Sequence, residues 1–145
     1  MAFRGTFDYS LDAKGRLTLP AKFRQGFADG VVVTRGMDGC LYAYTRADWQ
    51  RLVEERLRSL DTLNREARLM YRFFFSGAVE SELDKQGRVM VPGALIESAA
   101  LQREVVVAGV YDHLEIWDRA AWRDHLKEVE GSAESVAERL AAKRD

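Results

Sequence analysis

Two arginines, Arg16 and Arg88, each stand four residues after an aspartate and directly after a glycine: Asp12-Ala13-Lys14-Gly15-Arg16 and Asp84-Lys85-Gln86-Gly87-Arg88. A guanidinium is a planar, permanently charged fork of donors that suits phosphate oxygens or the O6 and N7 edge of guanine. The same spacing lets the aspartate pair with its arginine or cap its own turn, so the motif can equally serve the backbone. Arg4, Lys14, Lys22 and Arg24 surround the first copy. No residue set converges on nucleophilic or acid–base chemistry. The histidines are His113 and His125, neither in a zinc-protease spacing, and Cys40 is the single cysteine. No glycine-rich loop leads into a helix, since the chain after Gly15 reads as a strand. An enzyme, a metal site and a cofactor are therefore not expected.

The signatures lie inside a longer repeat. Leu11-Asp12-Ala13-Lys14-Gly15-Arg16-Leu17-Thr18-Leu19-Pro20 recurs 72 positions later as Leu83-Asp84-Lys85-Gln86-Gly87-Arg88-Val89-Met90-Val91-Pro92. Such self-similarity marks a duplicated structural unit. In the first unit, residues 6–47, the patterning predicts a strand over Phe7–Leu11, a hairpin turn over Asp12–Gly15 and a strand over Arg16–Leu19. A short helix over Ala21–Phe27 follows Pro20, then strands Val31–Thr34 and Leu41–Tyr44. The second unit, residues 78–120, repeats this order. Glu104–Val107 and Leu114–Trp117 are counterparts of the last two strands at an offset of 73. Thr45 and Asp118 are N-cap residues four positions before Trp49 and Trp122, so each unit should end in a helix whose first turn buries a tryptophan.

Residues 48–77 read as a helical connector packed on both units. One apolar stripe runs through Trp49, Leu52, Val53, Leu57 and Leu60, and a second through Leu63, Ala67, Met70 and Phe74, with a break at Asp61–Asn64. Residues 121–145 read as a C-terminal helical segment: a helix over Trp122–Val129, an interruption at Gly131 and Ser132, and a charged stretch Ala133–Arg144. The fold class is α+β.

At 145 residues, 47% hydrophobic and 31% charged, the composition is that of a globular protein. No apolar run is long enough to span a membrane and none resembles a signal peptide, so a cytoplasmic protein is expected. The net charge of −1 predicts no global attraction to nucleic acid, yet residues 1–24 carry five basic and two acidic side chains, and residues 97–145 carry seven and eleven. Such asymmetry fits a nucleic-acid face opposed by an acidic remainder.

Taken together, the N-terminus through Arg24 and the two Asp-x-x-x-Arg signatures resemble the MraZ family of bacterial proteins, built from two SpoVT-AbrB-like modules. The extra Ala2 shifts the usual Met-Phe-Arg start by one position. The resemblance implies duplicated double-split β-α-β modules fused by connecting helices. It also implies a sequence-specific regulator of transcription, a repressor of the division and cell-wall gene cluster that includes its own gene. Its partners would be double-stranded DNA carrying short direct repeats and further copies of itself in a nucleoid-associated ring, with no membrane partner.

Comparing the copies sorts the residues. Lys14 aligns with Gln86, Lys22 with Ala94, Arg24 with Ile96 and Arg4 with Ser76, while Lys85 is the only gain, opposite Ala13. Arg4, Lys14, Arg16, Lys22 and Arg24 are thus the expected DNA contacts, with the first unit as the reader. Asp12, Gly15, Asp84, Gly87 and Arg88, kept in both copies, are expected to build the hairpins. So few positive charges per chain bind weakly at physiological salt, which favours a ring presenting several copies. The rival reading is a ring-forming protein-interaction scaffold whose basic face meets an acidic partner without regard to DNA sequence.

Overall fold

The computed structural model describes residues 2–143; Met1, Arg144 and Asp145, and with them the last positions of the expected C-terminal segment, lie outside the described residues. The β-branched runs form the centre of a six-stranded antiparallel sheet. Its strands are β1 (Phe3–Ser10), β3 (Val31–Arg35), β4 (Leu41–Thr45), β5 (Val79–Ser81), β7 (Glu104–Tyr111) and β8 (Leu114–Asp118), in the order β1-β7-β8-β4-β3-β5. β2 (Arg16–Thr18) and β6 (Arg88–Met90) form a separate two-stranded ribbon. A 3-10 helix, Ala21–Phe27, follows β2, and α3 (Gly93–Ser98) holds the equivalent place after β6.

The pairing crosses the repeat. β1 of the first unit runs along β7 of the second, from Phe3 opposite Tyr111 to Ser10 opposite Glu104. β5 of the second pairs with β3 of the first, and β4 and β8 meet at the centre. Asp12–Gly15 and Asp84–Gly87 are therefore not hairpin turns, contrary to the expectation from sequence: the strands flanking each turn pair with the other unit. Alternation specifies which face of a strand is buried, not which strand lies beside it. Phe3 and Phe7 on β1 and Leu17 on β2 turn their apolar faces toward one core from two layers, so the turn carries the chain from sheet to ribbon. Phe3 stacks on Phe27 (5.1–5.3 Å between its ring and its neighbours) and meets Phe23 edge-on in the same core.

Helices cover the other face of the sheet. α1 (Arg46–Leu52) starts at Thr45, whose Oγ1 accepts from the Asp48 amide at 3.1 Å. A π-helical turn, Val53–Leu57, extends it. α2 (Arg65–Phe75) starts at Asn64, whose Oδ1 accepts from the Glu66 amide at 2.9 Å. α1 and α2 lie mainly on β3 and β4 of the first unit, and Arg46 at the start of α1 reaches Glu80 of the second. α4 (Arg119–Lys143) lies against β7 and β8. It runs unbroken through Gly131 and Ser132, which correct the expected interruption. One glycine disfavours a helix by about 1 kcal/mol, too little to end one flanked by strong helix formers. Trp49 and Trp122 are half-exposed, not buried: Trp49 packs at the rim on Tyr44 and Phe75, and Trp122 on Trp117.

Matching ion pairs clasp the units. Arg46, opening α1, pairs with Glu80 on β5. Arg119, opening α4, donates from Nη2 to the Tyr9 carbonyl at 3.0 Å and lies 3.9 Å from Asp8, both on β1. A third arginine holds α2. Arg35 Nη1 donates to the Phe73 carbonyl at 2.9 Å and lies 3.2 Å from Ser76 Oγ, at the helix end where a cation is favoured. Arg35→Ala should lower stability by about 1–2 kcal/mol in urea unfolding, whereas Arg58→Ala, on the exposed break, should change it by less than about 0.5 kcal/mol.

On the helix-covered face, the His113 ring lies between two carboxylates: Nδ1 is 2.8 Å from Asp112 and Nε2 is 3.4 Å from Glu115. Tyr42 and Tyr44 pack on it, with ring centroids 4.5 and 5.2 Å away. Burial opposes the imidazolium, but the bonds to Glu115 and Asp112 outweigh it and raise His113 above its ordinary value. Burial likewise opposes the Glu115 carboxylate, and bonds from His113 and from Trp117 Nε1 overcome it and lower its pKa. The histidine's contribution to stability is therefore complete below the ordinary value of 6.5 and lost as pH rises through the raised folded value. The glutamate's contribution is present above 4.5 and lost as pH falls through its lowered value. Urea midpoints should fall between pH 6 and pH 8.5 in the unmodified chain, and fall less in His113→Gln.

Candidate nucleic-acid interface

The ribbon owes its shortness to its flanks: Gly15 and Gly87 precede its strands, and Pro20 and Pro92 follow them closely. Leu17 and Val89 face each other and are fully buried. Alternation then turns Arg16, Thr18, Arg88 and Met90 outward on one face. Arg16 stands opposite Met90 and Arg88 opposite Thr18, so the two arginines are diagonal neighbours, about 7–8 Å apart by strand geometry. Each ribbon end is tied to the opposite turn: the Leu19 amide donates to the Gly87 carbonyl at 3.0 Å, and the Val91 amide to the Gly15 carbonyl at 2.9 Å.

The two turns have the same construction. Asp12 Oδ1 accepts from the amides of Lys14 (2.9 Å) and Arg16 (2.8 Å), and Asp84 Oδ1 from those of Gln86 and Arg88 (both 2.9 Å). Gly15 and Gly87 close their turns at φ 78° and 75°, a backbone region that disfavours any side chain. The second carboxylate oxygen holds the arginine: Arg16 Nε donates to Asp12 Oδ2 at 2.6 Å, and Arg88 Nε to Asp84 Oδ2 at 2.7 Å. Arg88 Nη1 also lies 3.9 Å from Asp12 Oδ2 across the ribbon. The amide of the following arginine contributes most to lowering the pKa of both Asp12 and Asp84; desolvation opposes it, and the guanidinium bond and the second turn amide add to the lowering. Each aspartate therefore stays ionised and orients a guanidinium through Nε. Arg16 makes no hydrogen bond through its terminal nitrogens among the described residues. Such a fork, fixed at one edge and open at the other, can donate to a phosphate or to a guanine edge.

The remaining basic residues are not all gathered here. Lys14 is exposed at the first turn, and Lys85 at the second. Arg24 belongs to the first unit but lies on the second unit's turn: its Nε donates to the Leu19 carbonyl at 3.0 Å, and its side chain packs against Gly87 so closely that a Cβ there would collide with it. Ile96, its counterpart, packs on Gly15. A cleft of about 700 Å³ lies beside the first turn, lined by Leu11, Ile96, Leu101 and Arg103 among others. Lys22 is held elsewhere, its ammonium 4.7 Å from the centroid of the Phe7 ring on β1. Arg4 also lies on β1, where alternation with the core residues Phe3 and Phe7 turns it to the face away from the ribbon. Sequence comparison could not see that Arg24 crosses between units, because only the strand exchange brings it there. Cys40 is buried, and burial pushes its thiol pKa well up, so it is unreactive.

Gly87→Ala should lower stability by about 1–2 kcal/mol, because it combines a left-handed backbone with the Arg24 contact. Adding Arg24→Ala should recover part of that loss. The pair should show a coupling of about 0.5–1 kcal/mol in a double-mutant cycle of urea unfolding.

Comparison with known proteins agrees with this duplicated architecture. A family model described as "MraZ protein, putative antitoxin-like" matches twice, over residues 2–73 and 74–144. A protein of Acetivibrio thermocellus named "Transcriptional regulator MraZ" is 43% identical over 139 residues, 96% of this chain and 96% of its own length. A protein of Natranaerobius thermophilus with the same name is 46% identical over 138 residues, 95% of this chain and 96% of its own. With both halves matched by the family model and near-complete coverage of these relatives, the chain belongs to the MraZ family.

Proposed function

We propose that this protein is a sequence-specific DNA-binding regulator of transcription that reads DNA with the outer face of the β2–β6 ribbon. The observation that carries the proposal is the pair of outward guanidinium groups, Arg16 and Arg88, each fixed through Nε by its own aspartate. A two-stranded ribbon fits the major groove, and guanidinium groups oriented in advance lose little freedom on meeting a guanine or a phosphate. The relatives' names support the regulatory role.

The expectation that the first unit alone reads DNA changes in this proposal. Lys14 and Arg16 serve one end of the ribbon, and Arg24, Lys85 and Arg88 serve the other. Arg24 replaces at the second turn the charge that Gln86 and Ile96 do not supply. Arg4 and Lys22 leave the contact set. Asp12, Gly15, Asp84 and Gly87 keep a structural role, as makers of connecting turns that orient the arginines. The family resemblance supports the finer parts of the reading: repression of the division and cell-wall cluster through short direct repeats upstream of its own gene, by a ring associated with the nucleoid in the cytoplasm. Several ribbons on successive repeats would offset the weakness of each through effective concentration.

Fluorescence-anisotropy titrations against the duplex upstream of its own gene test this. Arg16→Ala and Arg88→Ala should each weaken binding by about 10- to 100-fold with folding intact, in keeping with about 1–3 kcal/mol for a bidentate base contact. Lys14→Ala and Lys85→Ala should each reduce the salt slope by about 1. Unchanged affinity in Arg88→Ala would restore the single-unit reading. Equal affinity for unrelated duplexes would favour the scaffold.

A further inference from the structure

α4 is 25 residues long, yet its contacts with the sheet lie near its start, where Trp122 and His125 pack on Trp117. From Glu130 to Lys143 every residue is exposed except Ser132 and Val136, which are partly covered. This overhang, about 20 Å at 1.5 Å per residue, is too short to be a stable helix in water by itself, and it contains Gly131. Its side chains are nevertheless arranged for contact. Val129, Ala133, Val136 and Leu140 follow helical spacing along one stripe, with Val129 47% and Leu140 57% exposed. Glu130, Glu134 and Glu138 form an acidic edge beside that stripe, each four residues from the next.

A complementary surface exists on the same chain. α2 turns Leu69, 50% exposed, to solvent between Arg65 and Arg72, which lie four residues before and three after it. Neither arginine forms an ion pair among the described residues. α1 and α2 follow β4 as α4 follows β8, so the two surfaces occupy equivalent places in the duplicated architecture.

We propose that the overhang of α4 docks onto α2 of a second copy, laying its apolar stripe over Leu69 and its acidic edge along Arg65 and Arg72. The occupant is argued from charge: an acidic edge with an apolar stripe on one surface, and an apolar residue between two unpaired arginines on the other. The contact is heterologous, since a different surface of each copy takes part, and such contacts propagate until a rotation closes them into a ring. The inference rests on the ring assembly proposed above, and it does not depend on the DNA contacts.

Light scattering on size-exclusion fractions, without DNA, tests it. One variant combines Glu130→Arg, Glu134→Arg and Glu138→Arg; a second combines Arg65→Glu and Arg72→Glu. Each alone should run at the monomer mass with a far-UV spectrum that retains the sheet. Mixed in equal amounts, they should recover the mass of the unmodified assembly, because each reversed surface finds its complement. A milder variant, Leu69→Ser, should shift the concentration for half-assembly upward by at least 10-fold. Variants that keep the unmodified mass, a mixture that stays monomeric, or an unmodified chain that is monomeric at 100 µM (about the highest working concentration) would overturn the proposal. Monomeric variants should lose the gain from successive repeats but keep the single-ribbon contact to a duplex carrying one repeat, so a failure of this interface is distinguishable from a failure of the DNA reading.

Discussion

The pairing of β2 with β6, centred on Leu17 against Val89, is the constraint on which the rest of the molecule depends. Both side chains are fully buried, so the ribbon cannot slip by one residue without turning them to solvent and Arg16 and Arg88 into the core. That single register fixes the outward face, the diagonal placement of the two arginines, and the ties from Leu19 and Val91 to the opposite turns. Because the ribbon's strands come from different units, neither unit can form its half of the surface alone. The same exchange appears in the sheet, where β1 runs along β7 and β5 along β3, and the clasps of Arg46 on Glu80 and Arg119 on β1 reinforce it.

Within that frame the aspartates act at two levels. One carboxylate oxygen gathers backbone amides and shapes the turn; the other holds an arginine Nε. The two readings of the signature, structural and functional, therefore describe two atoms of one side chain. A charge-assisted bond of this kind restricts the guanidinium before any ligand arrives. The glycines serve a conformation and a close approach together, since Gly15 has the Val91 carbonyl and Ile96 nearby and Gly87 has Arg24.

Much of this was legible in the sequence, and the exceptions have physical causes. The β-branched strands, the cap at Thr45 and the aspartate–arginine pairing are local features, set by residues within four positions of each other, and the repeat shows when the sequence is laid on itself. The partner of each strand is not local: Phe7 and Leu17 show an apolar alternation that fits a hairpin or two facing layers equally well. A hairpin would keep Arg24 beside the first turn, whereas the strand exchange sets it against Gly87 of the second. Comparison of the two copies singles out Arg4 and Lys22 as first-unit charges, yet the two-layer core separates Arg4 from the ribbon, and Phe7 holds Lys22 at the sheet. Gly131 carried a breaker's usual meaning, but a glycine ends a helix only where the chain turns into a left-handed cap. Arg35 has no sequence signal at all, because its helix partner, the Phe73 carbonyl, lies 38 positions away.

The central claim is that both arginines of one exchanged ribbon read DNA. Guanine N7-methylation interference on the duplex upstream of the gene measures this most directly, since a methyl at N7 removes the acceptor a guanidinium would use. The account predicts that Arg16→Ala abolishes interference at one guanine of each repeat and that Arg88→Ala abolishes it at a different one. Interference that changes only with Arg16, or with neither arginine, would contradict it.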